Sequence, residues 1–168
     1  MVERLVIRHY REDDSIPEIT RLLHHAYAAL AQMGLRYTAT YQDDEVTLKR
    51  LLRGVAFVGE LNREIVATVT LYPESPLETL SEWYRKEGVH YFGQMAVRPD
   101  LQGKGIGTRL VGLMEEEARK LGATELALDT AVPALHLREW YRRLGYRQVE
   151  ELHWGTTNYR SVILSKTL

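Results

Sequence analysis

The chain reads as an α/β domain on a mixed, mostly antiparallel sheet, and three observations carry that expectation. Short β-rich runs alternate with stretches of helical period. The transitions between them fall on Gly, Asn or Pro. One strand–helix–strand unit, over residues 89–130, sits among antiparallel connections.

Each element has its own signal. Val2 to His9 alternates as a strand should. Asp13, Asp14 and Ser15 offer caps, with Glu18 three residues beyond Ser15 in capping-box register. Ile16, Ile19, Leu22, Leu23, Ala26, Tyr27 and Leu30 then recur at helical spacing up to Gly34. Residues 35–42 are polar and tyrosine-bearing, a loop. Asp43 and Asp44 cap a second helix through Val46, Leu48, Leu51 and Leu52, which Gly54 stops. Val55–Leu61 and Ile65–Tyr72 read as a hairpin joined at Leu61-Asn62-Arg63-Glu64. Pro73 and Pro76 break the second strand. Residues 73–88 make a long connection, with one helical turn expected near Leu77, Leu80 and Trp83, and connections of that length are often functional. Val89–Val97 is a strand in which Gly93 marks a bulge or a close backbone approach.

After the Pro99-Asp100 turn comes the clearest helix. Ile106, Leu110, Leu113, Met114, Ala118 and Leu121 lie on one face, and the Glu115-Glu116-Glu117 run is read as solvated. Gly122 ends it. Glu125–Thr130 is a strand, Ala134–Leu144 a helix closed by Gly145, and Tyr146–Trp154 with Tyr159–Ser165 a terminal pair around Gly155. The order is β-α-α-β-β-β-α-β-α-β-β.

Composition narrows the function. The 168 residues suit one domain, 1–168, with 45% hydrophobic and 27% charged residues as in ordinary globular proteins. There is no cysteine, which excludes disulfides, thiolate metal sites and cysteine nucleophiles. Twenty-two Lys+Arg against 23 Asp+Glu leave a net charge of −1, so neither nucleic acid nor a membrane surface is an expected partner. No apolar run approaches a membrane span, and the first residues mix in charges where a signal peptide needs an apolar core, so a cytoplasmic location is expected. The six histidines make no metal set. His24 and His25 are adjacent on a helix, and no His-x-x-x-His pair occurs.

Chemistry concentrates in residues 94–111. A strand turns into three alternating glycines, Gly103, Gly105 and Gly107, and a helix begins at once. Glycine lets a backbone approach a ligand closely, and a helix N-terminus carries roughly half a positive charge, so the amides of Gly103 to Thr108 suit a phosphate or pyrophosphate. A P-loop needs G-x-x-x-x-G-K-[ST] and a dinucleotide site needs G-x-G-x-x-G. This run has neither spacing. What remains is Q-x-x-G-x-G, with Gln102, Gly105 and Gly107, or a glycine-rich turn without a ligand.

These residues resemble the GNAT superfamily of N-acetyltransferases. The matching run is Ala96 to Gly107, like the family's [RQ]-x-x-G-x-[GA] loop. A second match is Trp140-Tyr141-Arg142-Arg143-Leu144-Gly145-Tyr146, a tyrosine ahead of a Gly-aromatic pair. The likeness spans roughly residues 2–166. It implies a six- to seven-stranded sheet splayed between its fourth and fifth strands and flanked by about four helices. It implies acetyl-CoA as cosubstrate, with Gln102, Gly103, Lys104, Gly105, Ile106, Gly107 and Thr108 at the pyrophosphate and Met95, Ala96 and Val97 along the pantetheine arm. A backbone amide near Met95 or Ala96 would polarise the thioester carbonyl. An amine would attack directly, and Tyr141 would protonate the departing thiolate. Tyr141 also shares helical spacing with Leu137, Trp140 and Leu144, so a place in the core competes with catalysis.

The chain departs from that family twice. The fourth strand carries no carboxylate to act as a base, leaving water, His90, Asp129 or Glu82. Thr130 stands in the stretch where many members have an asparagine. A non-catalytic acetyl-CoA-binding regulatory module is therefore the alternative function. The acceptor side is expected in residues 27–44 and 73–88, where Tyr27, Tyr37, Tyr41, Trp83 and Tyr84 lie among Asp43, Asp44, Glu78 and Glu82, a set suited to a cationic amine or to plain packing. Trp154, Tyr159, Val162 and Ile163 on the terminal strands suggest a homodimer.

Overall fold

A computed structural model describes residues 4–73, 75 and 79–168. Pro76, Leu77 and Glu78 and the start of the first expected strand lie outside them. The elements follow the expected order: β1 (Val6–His9), α1 (Ile16–Gln32), α2 (Asp44–Arg53), β2 (Val55–Leu61), β3 (Glu64–Tyr72), β4 (Val89–Val97), α3 (Ile106–Lys120), β5 (Glu125–Ala131), α4 (Leu135–Arg143), β6 (Arg147–Leu152) and β7 (Ser161–Thr167). The expected turn at Pro99-Asp100 is a short 3-10 turn, Pro99–Leu101, and a second one, Thr38–Thr40, lies in the stretch read as a loop. Leu80 and Trp83 lie in turns without the helical turn expected there.

The strands form one seven-stranded sheet in the order β1-β2-β3-β4-β5-β7-β6. Every pairing is antiparallel except β4 with β5. Helices cover both faces. Leu110, Val111, Met114 and Ala118 of α3 and Tyr141 of α4 pack on Val69, Leu71, Phe92, Leu126 and Leu128. Ile19, Leu22 and Leu23 of α1 and Leu51 of α2 pack on Ala56, Val58, Ile65 and Ala96. β3 is therefore buried from Ile65 to Tyr72, and its sequence runs nearly continuous in apolar and threonine residues, as a strand covered on both faces should.

Local signals hold with informative exceptions. The Ser15 hydroxyl caps α1 by accepting from the Glu18 amide at 3.3 Å. Glu18 does not complete a capping box. Its Oε1 accepts from the Ile65 amide at 2.8 Å and ties α1 to the hairpin. Asn62 and Arg63 both have positive φ, 52° and 65°, as a tight two-residue hairpin turn requires. Gly54 ends α2 in extended backbone, without the left-handed cap. Glycine is needed there for room, since a Cβ would stand 2.2 Å from the Leu71 carbonyl oxygen. The solvated reading of Glu115 is wrong: it is buried and paired with Lys166 on β7, while Leu121 is exposed. A partner strand brings the lysine, and α3's own sequence does not contain it.

Gly93 does mark a bulge. Thr68 pairs with Ala96 and Thr70 with Gly93, so two β4 residues face one on β3. The left-handed residue in it is Gln94, at φ 50°. A bulge bends its strand. The β4–β5 pairs Val89–Glu125, His90–Leu126 and Tyr91–Ala127 are the last before the two strands part. That is the splay.

Candidate active site

A cavity of about 550 Å³ fills the gap between β4 and β5 and reaches the glycine turn. Its walls include Met95, Ala96 and Val97 on β4 and Gln102, Gly103, Gly105, Gly107 and Thr108 on the turn. Lys104 is exposed and outside the lining, and Ile106 turns its side chain into the core. Gly103 and Gly105 hold φ of 77° and 85°, the left-handed region that favours glycine, with open space where a Cβ would stand. Gly105 is the N-cap of α3, whose first amides have no carbonyl of their own helix to pair with. Gly107 packs under Trp140, 3.3 Å from where its Cβ would be. Gln102 Nε2 donates to the Val97 carbonyl at 3.0 Å and fastens the turn to β4. This open cradle of backbone donors, beside a strand edge without a β5 partner, fits the pyrophosphate and extended arm of a CoA thioester.

Tyr141 stands on α4 in the same cavity. It is 7% exposed, with ring centroids of Trp140 at 4.8 Å, Tyr146 at 5.9 Å and Phe92 at 6.3 Å. Its ring is core and its hydroxyl makes no hydrogen bond among the described residues. Burial pushes the phenol well above its ordinary pKa, and neighbouring Tyr27 and Tyr146 add to that. The proton is therefore held firmly at neutral pH.

Of the three side chains weighed as a base, one faces the cavity. Asp129 of β5 lines it, accessible within the cavity yet surrounded by protein, and desolvation raises the carboxyl against the pull of its donors. The Tyr84 hydroxyl donates to Oδ1 at 2.9 Å and Trp154 Nε1 to Oδ2 at 3.1 Å. His90 is buried in β4 opposite Leu126, Glu82 is exposed, and neither lines the cavity. Among the described residues no cluster of three His, Asp or Glu could hold a metal.

The acceptor-side aromatics divide. Tyr27 lines the cavity, donates to the Met95 carbonyl at 2.9 Å, and is pushed up to about 12 by burial. The Tyr37 hydroxyl accepts from the Ala131 amide at 2.9 Å and lies 2.8 Å from Thr130 Oγ1, so Thr130 is occupied there. Tyr41 lies outside under Arg36, Trp83 under Lys86, and Asp43 is the cap of α2. Asp44 is exposed in α2's first turn. The four terminal-strand residues are used inside the chain: Val162 and Ile163 are buried, and Trp154 and Tyr159 line the cavity.

Sequence reasoning missed Arg50 and Gln94. Arg50 reads as a favourable cation in the last turn of a helix, and Gln94 as one polar residue in a strand. In the fold both line the cavity. Gln42 links them, accepting from Arg50 Nη1 at 2.6 Å and donating to Gln94 Oε1 at 3.0 Å. No local signal connects three residues so far apart in the chain.

The sequence and the fold have counterparts. Residues 18–146 match the model of the acetyltransferase (GNAT) family. The chain is 31% identical over 143 residues to the S-(2-succino)cysteine N-acetyltransferase of Bacillus subtilis, covering 82% of each protein. It is 26% identical over 132 residues to the S-alkylcysteine N-acetyltransferase of the same organism, covering 77% of this chain and 71% of that one. A crystal structure of a GNAT-family acetyltransferase from Elizabethkingia anophelis with acetyl-CoA bound superposes with a TM-score of 0.70 at 18% identity, over 98% of each chain. By sequence over most of its length, and by a fold that opens its sheet at the parallel pair, this chain belongs to the GNAT family and is an N-acetyltransferase.

Proposed function

We propose that the protein transfers an acetyl group directly from acetyl-CoA to the amine of a small molecule, with Tyr141 as general acid. The observation that carries this is the Tyr141 hydroxyl, lining the same cavity as the glycine turn with no hydrogen bond among the described residues, its pKa raised by burial. Bound there, acetyl-CoA supplies the acetyl group as a thioester. The chain supplies position and protons. Gly103 to Thr108 hold the anionic end, the stretch of β4 without a β5 partner at Met95, Ala96 and Val97 guides the arm, and a backbone amide at Met95 or Ala96 polarises the carbonyl. Tyr141 delivers its proton to the sulfur as the C–S bond breaks.

The relatives are named for cysteine derivatives, small molecules in which a primary amine stands beside an acid group. That makes an amino-acid-like amine the acceptor class of choice, acting in the cytoplasm. A homodimer through the C-terminal strands, where β6 forms one of the two edges of the sheet, belongs to the same reading. A monomer by light scattering at micromolar concentration removes it. The main test is thiol release from acetyl-CoA over an amine panel containing S-alkylcysteines. Release with at least one amine supports the proposal. Tight acetyl-CoA binding with no release on any amine returns the reading to a regulatory module.

A further inference from the structure

Arg50 and Asp129 are the only Arg or Lys and the only carboxylate that line the cavity among the described residues. They flank the point where the sheet opens. Tyr91 and Ala127 form the last β4–β5 pair. Asp129 lies two residues beyond it on β5. On β4 the same step reaches Gly93, whose Cβ would stand 3.8 Å from Arg50 Nη2. The two charges do not form an ion pair with each other.

Hydrogen-bond polarity sharpens the picture. A guanidinium only donates, so Gln42 must turn its oxygen to Arg50. Its nitrogen then donates to Thr47 Oγ1 at 2.7 Å and to Gln94 Oε1 at 3.0 Å. Gln94 is thereby held with its nitrogen unspent. It is 2% exposed, and among the described residues Nε2 has no partner. Among the same residues Arg50 spends a side-chain donor on Gln42 alone and has no carboxylate partner. One side of the opening is thus rich in unsatisfied donors, and the other is a carboxylate whose oxygens each accept a single bond, from Tyr84 and from Trp154.

We infer that this opening reads a zwitterion: Arg50 takes the acid group of an amino-acid-like acceptor, and Asp129 takes its ammonium group and removes a proton from it. The inference rests on the acetyl transfer proposed above and names the residues that choose and activate the acceptor. The amine arrives as an ammonium ion and passes one proton to Asp129, which returns it to solvent. Transfer then forms the N–C bond and breaks the C–S bond. The second proton leaving nitrogen replaces, in net, the one Tyr141 gives to sulfur. One proton is released per turnover. The groups facing Asp129 are Tyr84, Tyr91, Arg50, Tyr27, Tyr37, Tyr141 and Tyr159, and every phenol among them is raised above its ordinary pKa. Arg50 is then the only charged neighbour among these groups.

The test uses S-methyl-L-cysteine and its methyl ester with the full chain. Calorimetry in the presence of CoA measures acceptor binding, and thiol release from acetyl-CoA measures turnover. Wild type should bind the free acid about 30-fold more tightly than the ester, the scale of a charge-assisted hydrogen bond. Arg50→Met should erase that preference while leaving acetyl-CoA affinity unchanged. Arg50→Lys, a milder change, keeps the charge without the fork and should fall between. Asp129→Asn should bind the acid but lose turnover by about 100-fold at neutral pH. Its deficit should shrink as pH rises, because more of the amine is then already neutral. Equal binding of acid and ester by wild type overturns the role of Arg50, as does an equal loss of both in either variant. An Asp129→Asn deficit that is constant with pH overturns the role of Asp129. Wild type that binds the acid selectively yet releases no thiol defeats the acetyl-transfer proposal and leaves the zwitterion site standing.

Discussion

Replacing Tyr141 with Phe removes the hydroxyl proposed as general acid and almost nothing from the fold. The ring keeps its contacts with Trp140, Tyr146 and Phe92, and the hydroxyl has no hydrogen bond to lose among the described residues. Stability should therefore stay within about 0.5 kcal/mol of wild type by chemical denaturation. Acetyl-CoA affinity should be nearly unchanged, since the glycine turn proposed to hold the anionic end is untouched. Turnover is another matter. A positioned general acid is worth about 10²–10⁴ in rate, or roughly 3–5 kcal/mol at a tenfold change per 1.36 kcal/mol. Thiol release with a good acceptor should fall by that factor. The raised phenol also fixes the pH behaviour: proton loss from Tyr141 lies well above pH 10, so wild-type activity should show no alkaline fall from this group in the ordinary assay range. Tyr27→Phe is the control, since it loses the bond to the Met95 carbonyl and should cost about 1 kcal/mol of stability. Wild-type turnover in folded Tyr141→Phe would refute the acid role and leave the residue a piece of core. A joint loss of stability and cofactor affinity would make the hydroxyl structural.

Three further expectations follow from particular contacts. Gly105→Ala should weaken acetyl-CoA binding modestly, because φ of 85° costs an L-residue about 1–2 kcal/mol while the space is open, whereas Gly105→Asp should abolish it by adding a negative charge at the anion cradle; calorimetry on the folded variants separates the two. Gly54→Ala should destabilise the fold by about 3 kcal/mol or more, read from urea denaturation, because its Cβ meets the Leu71 carbonyl at 2.2 Å and the backbone must move. Asp14 accepts from Arg8 at 2.7 and 2.9 Å, and this holds its carboxyl below the usual range. With the folded pKa depressed, its contribution is present above the unfolded value near 4 and is lost as pH falls through the folded one, so Asp14→Asn should flatten the acid limb of a stability-versus-pH curve.

By itself the sequence determined what short-range chemistry determines. Period, caps and turn residues set the eleven-element order, down to Ser15 and Asp43 as caps and Leu61-Asn62-Arg63-Glu64 as the hairpin turn. The glycine turn was legible because its cause is local: left-handed backbone at Gly103 and Gly105 followed at once by a helix N-terminus. Tyr141 came through a motif, and its two readings turned out compatible, a core ring carrying a hydroxyl on the cavity wall. The rest needed distance. Only β7 brings Lys166 to bury Glu115, and only the close approach of β3 explains Gly54. The terminal-strand aromatics looked like spare surface until the fold turned Trp154 onto Asp129 and Tyr159 onto Tyr37. The charge pair at the opening is the clearest case. Arg50, Gln42, Gln94 and Asp129 come from α2, the loop before it, β4 and β5, and each is unremarkable among its neighbours in the chain. A bulge that bends β4 away from β5 creates the space they share. Side-chain period and capping act over a few residues, whereas a cavity between two parted strands is a property of the whole sheet.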